Sequence, residues 1–377
     1  RLPSALSVGV SALLLFLAVR RFAGREGAAV LVATVFLSCS AVFAIGVFAV
    51  LDSVFSMFVT ATMLSFYLAY VAGTRRSRMT FLALSGAFCG LAFLTKGFIA
   101  FAIAVVAIVP FLFWERRGKE IPGLAWLPVL VAAAVALPWT VTVALREPDF
   151  WRYFFWIEHI QRFRGEAPQH AEPFYYYLPV LVGGALPWTA FVPASVVGLK
   201  KMGTKDAFVR YALCWLLLPF LFFSLSRGKL GTYILPCFAP LTILVTVGLR
   251  KYLEQGKRRL FSAGGYSLVA IACIAASGLA ISQVAGFPDD RIYGHNEFWK
   301  WFAAVAGLGM LAGFAILAVR STLPRKAILM VGLAPLAPMF FTHFLMPERL
   351  RNRKAPGAFL LRCADQVRTN CTLITSA

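Results

Sequence analysis

The chain reads as an all-α, polytopic bundle of membrane helices, on three grounds. Only 14% of its residues are charged while 60% are hydrophobic, against roughly a quarter charged in a soluble domain. Its apolar runs are long enough to cross a bilayer, and some are long enough to cross twice. Its basic residues collect in short clusters between those runs, not along one face of a soluble unit.

A helix crosses the ~30 Å hydrocarbon layer in about 20 residues, at 1.5 Å per residue. Met79 to Trp114 is apolar apart from Lys96. As one helix it would be about 54 Å long, so the chain must turn, and Thr95-Lys96-Gly97 is the natural place. Gly27 to Gly73 is interrupted only by Asp52, which by the same reasoning marks the meeting of two spans. Both charges therefore belong at membrane surfaces. Applied along the whole chain, the criterion predicts about twelve spans. They lie near 2–19, 28–49, 53–73, 79–95, 97–114, 122–145, 174–197, 207–225, 231–249, 262–285, 298–319 and 326–345.

The loops between these spans alternate in sign. One set carries Arg20/Arg21/Arg25, Arg75/Arg76/Arg78, Arg116/Arg117/Lys119, Lys200/Lys201/Lys205, Arg250 to Arg259 and Arg320/Arg325/Lys326. Clusters of this kind mark the cytoplasmic side. The other set holds Asp52, Lys96, the 146–173 loop, Ser226–Leu230, Pro288–Lys300 and the C-terminal segment. The net charge of +21 is thus a topology signal, and nucleic acid is excluded as a partner. Cys39, Cys89, Cys214, Cys237 and Cys273 fall in apolar runs and read as small core hydrophobes. Cys363 and Cys371 are the one plausible pair.

Nearly every unusual polar residue falls in the extracytoplasmic set. The stretch "DFWRYFFWIEHIQRF" is aromatic and charged, which suits an amphipathic segment lying in the headgroup layer. An inert anchor, however, has no use for Glu158 and Arg162 at i,i+4 or for His159 beside Arg162 and Arg164. Tyr175–Tyr177 are expected in the aromatic belt. His170 and Glu172 lack ligand spacing, whereas His159 could give one ligand to a metal completed elsewhere. Arg227 and Lys229 share a very short outer turn ahead of Tyr233. Outer loops disfavour Lys and Arg, so an anionic ligand such as a phosphate is the economical explanation. Lys96 has a bland reading as a snorkelling lysine, and Asp52 as a helix-start carboxylate. Together, Lys96, Arg164, Arg227, Lys229, Tyr233 and Asp52 would line one extracytoplasmic pocket. Glycosyl transfer from a polyprenyl-phosphate sugar needs such cations, because its leaving group is a lipid phosphate.

The segments "EHIQRFRGEAPQHAEPFYYYLPVLVGGALPWT" and "SRGKLGTYILPCFAPL" closely resemble the bacterial lipid A 4-amino-4-deoxy-L-arabinose transferases. These are integral-membrane glycosyltransferases of the protein O-mannosyltransferase-like superfamily, of GT-C type. "RLPSAL" at the start, "LDSVFSMF" at 51–58 and "LTKGFIA" at 94–100 resemble segments shared across that superfamily. The resemblance implies an undecaprenyl-phosphate-linked aminoarabinose donor and a lipid A phosphate acceptor. It places the reaction at the periplasmic face of the inner membrane and implies a role in resistance to polymyxin-like cationic peptides. It also implies that Lys96, Arg164 and Tyr233 approach the lipid phosphate and that His159 is a zinc ligand, its partner glutamate lying in the family's first periplasmic loop. The family's catalytic aspartate precedes "RLPSAL", so it is expected upstream of Arg1, and this chain alone is expected to be inactive. Residues 1–345 then form the transmembrane transferase domain, acting as a monomer among membrane lipids, and 346–377 begin a periplasmic C-terminal domain.

Two other readings stay open at this stage. A related transferase would move mannose or galacturonic acid to protein or another lipid. A transporter would place ionisable residues near the bilayer midplane on interrupted helices, whereas here they sit at span ends.

Overall fold

A computed structural model describes residues 1–22, 26–161, 172–203, 206–284 and 292–335, with the isolated residues 339, 345, 347 and 348. Among the described residues fifteen helices follow one another, beside four short 3₁₀ turns, and no strand forms. They are α1 (Leu2–Phe22), α2 (Glu26–Leu37), α3 (Ser40–Val47), α4 (Leu51–Tyr70), α5 (Arg75–Lys96), α6 (Ile99–Trp114) and α7 (Ile121–Arg146). Next come α8 (Arg152–Gln161, of π type), α9 (Tyr177–Gly184), α10 (Val192–Met202) and α11 (Ala207–Leu225). The last four are α12 (Phe238–Glu254), α13 (Arg259–Val284), α14 (Phe298–Arg320) and α15 (Pro324–Leu333).

Eight of these helical stretches are long and apolar enough to cross a membrane, and two bent helix pairs bring the number to as many as ten. The expected count of about twelve is not reached among the described residues. Helix α6 is shorter, at 16 residues, and α15 occupies only the start of the twelfth expected span, most of whose remainder lies outside the description. Residues 346–377 likewise lie outside it, apart from 347 and 348. Large apolar side chains such as Val105, Val129, Ile274 and Phe302 are exposed, as they are where lipid is the solvent.

Two expected spans, 28–49 and 174–197, are not continuous helices. The first bends by 63° between α2 and α3, the second by 93° between α9 and the turn leading into α10. Backbone freed from a helix within hydrocarbon must be satisfied by protein, and here the two breaks satisfy each other. The Ser40 amide donates to the Leu186 carbonyl at 3.0 Å, and the Ser40 hydroxyl donates to the Gly183 carbonyl at 2.7 Å. The Trp188 indole donates to the Ser38 hydroxyl at 2.9 Å. Ser38-Cys39-Ser40 and Leu186-Pro187 are thus a matched pair of interruptions, 150 residues apart at the indole bond. Elsewhere hydroxyls are spent locally: Ser7, Ser11, Thr60 and Thr62 each donate to the carbonyl four residues back, which leaves none of these four hydroxyls bare in the membrane.

Contacts between helix ends sort into two sets that match the alternating loops. At one end Ser4 of α1 donates to the Val50 carbonyl ahead of α4 at 3.1 Å. At the other, Tyr70 at the end of α4 donates to Glu115 after α6 at 2.9 Å, and Arg210 of α11 pairs with the same carboxylate. Arg78 of α5 lies 3.9 Å from Glu120 before α7, and Arg258 before α13 donates to the Ser321 and Thr322 carbonyls after α14. Cys39, Cys89, Cys214 and Cys237 are buried as expected, but Cys273 is exposed on α13.

Burial by itself would raise the pKa of Glu115, but hydrogen bonds from Arg210 and Tyr70 and the charge of Arg117 hold it below the usual carboxylate range. A carboxyl whose folded pKa is depressed contributes stability above its ordinary value near 4.3, and loses it as pH falls through the folded value. Arg210→Met is therefore expected to cost about 1.5–3 kcal/mol near neutral pH. Thermal denaturation in detergent should show the gap to the unsubstituted protein narrowing as the buffer is taken through and below the carboxylate range. A gap that did not change with pH would remove the ion pair as its cause.

Candidate functional site

The site forms where α4 begins and α5 ends. Val50, in extended conformation, caps α4 without a side-chain hydrogen bond, so Asp52 sits in the first helical turn. Capping therefore does not account for it: its carboxylate pairs with the Lys96 ammonium, 44 residues away. That meeting follows from the antiparallel α4–α5 hairpin, which opens at Thr74, whose hydroxyl accepts from the Ser77 amide at 3.2 Å. Lys96 is the last residue of α5, and Gly97 ends the helix at φ 77°, a left-handed value that glycine tolerates without a Cβ penalty. The Thr95-Lys96-Gly97 turn is where the sequence places it.

The Lys96 ammonium lies 4.1 Å from the centroid of the Tyr233 ring and 5.6 Å from that of Phe55, a cation–π arrangement. Tyr233 comes from a 3₁₀ turn, Gly231–Cys237, that opens the ninth expected span ahead of α12. Side chains of Lys96 and Asp52 keep 25% and 16% of their surface open, so the pair is reachable from outside while its charges are neutralised within the protein. Phe55, one turn beyond Asp52 in "LDSVF", escapes a reading of the sequence because nothing local separates it from the other phenylalanines of the spans.

The turn before Tyr233 carries the other two expected cations, and it uses them differently. Lys229 is only 3% exposed. Its ammonium donates to the Ser226 carbonyl and, at 3.0 Å, to the Glu172 carbonyl, so two of its three donors go to backbone. Burial pushes its pKa down, and the Glu172 charge partly offsets this. The Glu172 amide in turn donates to the Arg227 carbonyl at 3.3 Å. Lys229 thus ties the chain returning after 171 to the 226–230 turn, while the Arg227 side chain is exposed at the rim. The Tyr233 amide donates to the Leu230 carbonyl at 3.0 Å, which places Arg227, Lys229 and Tyr233 on one continuous turn.

Of the tyrosine triplet, only Tyr175 (58% exposed) fits the aromatic belt. Tyr177 is fully buried, its ring 6.3 Å from that of Phe223, which lies 6.4 Å from Tyr233. It belongs to the packing behind the site. The aromatic segment before the charged loop packs on the same end of the bundle: Trp151, Phe154 and Phe155 ring the side chain of Phe98 at 6.4, 6.2 and 5.2 Å. Phe98 is two residues from Lys96, so this aromatic anchor packs at the Lys96 end of the bundle. Arg164 lies outside the described residues, as does the side chain of His159. Among the described residues no group of three His, Cys, Asp or Glu could hold a metal ion.

A polytopic bundle of membrane helices is also the fold of the solved structures this chain resembles. Residues 1–154 match the family described as dolichyl-phosphate-mannose-protein mannosyltransferase. An undecaprenyl phosphate-alpha-4-amino-4-deoxy-L-arabinose arabinosyl transferase from Shewanella sediminis is 37% identical over 374 residues, covering 99% of this chain and 67% of that protein. The like-named protein of Erwinia tasmaniensis is 37% identical over 363 residues, covering 96% of this chain and 65% of its own length. The crystal structure of ArnT from Cupriavidus metallidurans bound to undecaprenyl phosphate superposes with a TM-score of 0.75 at 24% identity, over 99% of this chain and 66% of that one. The chain belongs to the family of the undecaprenyl phosphate-alpha-4-amino-4-deoxy-L-arabinose arabinosyl transferases, and spans about two thirds of the length of those relatives.

Proposed function

We propose that the protein transfers 4-amino-4-deoxy-L-arabinose from undecaprenyl phosphate to a lipid A phosphate, at the periplasmic face of the bacterial inner membrane. The observation that carries this reading is the convergence of three separate motifs, "LDSVF", "LTKG" and "GTYILP", on the Asp52–Lys96–Tyr233 contact. The names of the relatives and the undecaprenyl phosphate bound to the Cupriavidus protein support it. In the reaction an acceptor phosphate oxygen bonds to the anomeric carbon of the sugar as the bond from that carbon to the donor phosphate oxygen breaks. The carrier leaves as a phosphate monoester with one more negative charge. Preorganised cations aimed at that oxygen stabilise the transition state without reorganisation. We assign that task to Lys96, with Arg164 as its partner by motif and Asp52 as a positioning residue that holds the ammonium in place.

The test is expression of the full-length protein in a strain lacking its own transferase, with lipid A analysed by mass spectrometry. Aminoarabinose on lipid A is expected, with rising resistance to cationic peptides. Arg164→Ala should lower transfer roughly tenfold to a hundredfold or more at near-normal expression, since a charge-assisted hydrogen bond is worth about 1.5–3 kcal/mol. Unmodified lipid A beside glycosylated protein would favour the second reading, a related transferase acting on protein, for which the mannosyltransferase match over residues 1–154 speaks.

Orientation has its own test. In a background with Cys273, Cys363 and Cys371 replaced by serine, Lys119→Cys and Lys201→Cys should resist a membrane-impermeant thiol reagent in intact cells, while Arg227→Cys should react. Labelling at 119 or 201 would invert the topology and remove the periplasmic site.

A further inference from the structure

A second site lies at the end of the bundle opposite Lys96. Helices α1, α4 and α5 leave a cavity of about 540 Å³ between them, lined by Leu17 and Ala18 of α1, Leu64 and Leu68 of α4, and Phe81 of α5. Arg20 and Arg21, in the last turn of α1, line the same cavity. We propose that this groove binds an anionic glycerophospholipid from the leaflet at that end, its phosphate on Arg20 and Arg21 and an acyl chain along the leucines.

Three observations support an anionic lipid as the occupant. The cavity is apolar along its length and basic at one end, which is the distribution of a phospholipid: chain below, charged headgroup above. Basic pockets between membrane helices on the cytoplasmic side bind acidic headgroups in this way. The arginines are also held on a fixed backbone. Phe22, the next residue, packs edge-on against Tyr67 at 4.9 Å and lies 5.1 Å from Phe208, which pins the end of α1 to α4 and α11. Finally, the molecule contains its own contrast. The cavity of about 370 Å³ between α6 and α7 is lined by Phe101, Val105, Leu124 and Val129 among others, with no charged residue, and gives no reason to select one headgroup over another. Arginines that merely snorkel to the headgroup layer need no crevice. Here the charged pair and the crevice are one surface.

The experiment uses the full-length protein in detergent, with phosphatidylglycerol and phosphatidylethanolamine titrated in native mass spectrometry. Phosphatidylglycerol should be retained preferentially. Each arginine near an anionic surface contributes on the order of a fivefold gain in binding, so Arg20→Gln with Arg21→Gln should weaken retention about thirtyfold. Leu17→Trp, which fills the groove from its exposed edge and keeps both charges, should weaken it as well. Without lipid the double variant should keep the thermal midpoint of the unsubstituted protein while losing the rise that phosphatidylglycerol induces. Equal retention of the two lipids would overturn the proposal, and so would undiminished binding in the double variant. An equal loss on Arg75→Gln with Arg76→Gln, an exposed basic pair that lines neither cavity, would also overturn it by showing that surface charge alone is responsible.

Discussion

Lys96→Met in the full-length protein is expected to lower kcat/KM for sugar transfer by about a thousandfold, more than removal of a single phosphate contact would. Two effects add. The substitution deletes a charge-assisted contact to the leaving phosphate, worth about 1.5–3 kcal/mol. It also strips Asp52 of its partner and leaves a mostly buried carboxylate, 16% exposed, facing an anionic substrate. Breaking one half of a buried pair is costly because the remaining charge is uncompensated. This second effect has a signature. Asp52→Asn alone should cost about tenfold, since Lys96 keeps its charge and loses only its orientation. The double variant Lys96→Met/Asp52→Asn should be more active than Lys96→Met, because the stranded carboxylate is gone. A double-mutant cycle on kcat/KM reads that coupling directly. If Lys96→Met stayed within tenfold of the unsubstituted enzyme, the lysine would be a surface anchor and the proposed site would fail.

The largest structural effect is expected at Gly198, where α10 crosses α12. A Cβ there would fall 1.9 Å from the Gly248 carbonyl oxygen and 2.9 Å from the Tyr252 nitrogen, and one on Gly248 would fall 2.3 Å from the Ser195 oxygen. All three obstacles are backbone atoms, which cannot rotate aside. The close approach is the small-residue packing that holds membrane helices together where no hydrophobic drive exists, and Ser195 strengthens it by donating to the Val245 carbonyl at 3.2 Å. Gly198→Ala should therefore cost about 3 kcal/mol, at or beyond the usual upper range for overpacking, and Gly198→Leu should prevent accumulation of folded protein. Gly309→Ala on α14 is the control. Its Cβ would meet nothing within 4 Å, and alanine is the better helix former by about 1 kcal/mol. Size-exclusion profiles and thermal midpoints in detergent compare the two. Equal tolerance at both positions would mean that α10 and α12 do not pack as described.

Gly198 and Gly309 look alike in sequence, each a glycine in an apolar helix, and that likeness marks the limit of what could be read from residues. Span ends were legible because hydrocarbon excludes charge, so each isolated ion or basic cluster reports a membrane surface locally. That ground alone puts Asp52 and Lys96 at the same surface, and the turn at Thr95-Lys96-Gly97 follows from length. The motif residues around Tyr233 were legible as a basic turn in an outer loop. Their division of labour was not: Lys229 is spent on backbone carbonyls and Arg227 is left at the rim, and only the fold of the turn distinguishes them. Tyr175 and Tyr177 are neighbours of identical chemistry, yet one is exposed and the other fully buried. The mutual breaks at Ser38–Ser40 and Leu186–Pro187 were hidden for the same reason, since each interruption is satisfied by a partner far away in the chain.

What the sequence by itself determined is the class of fold, the approximate ends of most spans, the two sets of helix ends and the family. What only the tertiary structure decided is which ends meet, which carboxylate holds Lys96, which rings lie beneath it and where helices touch backbone to backbone. The physical reason is the solvent. In water, a helix announces its buried face by an apolar stripe, but in a bilayer the lipid-facing side is as apolar as the core. The polar punctuation that survives marks depth in the membrane, and it does not mark the neighbour.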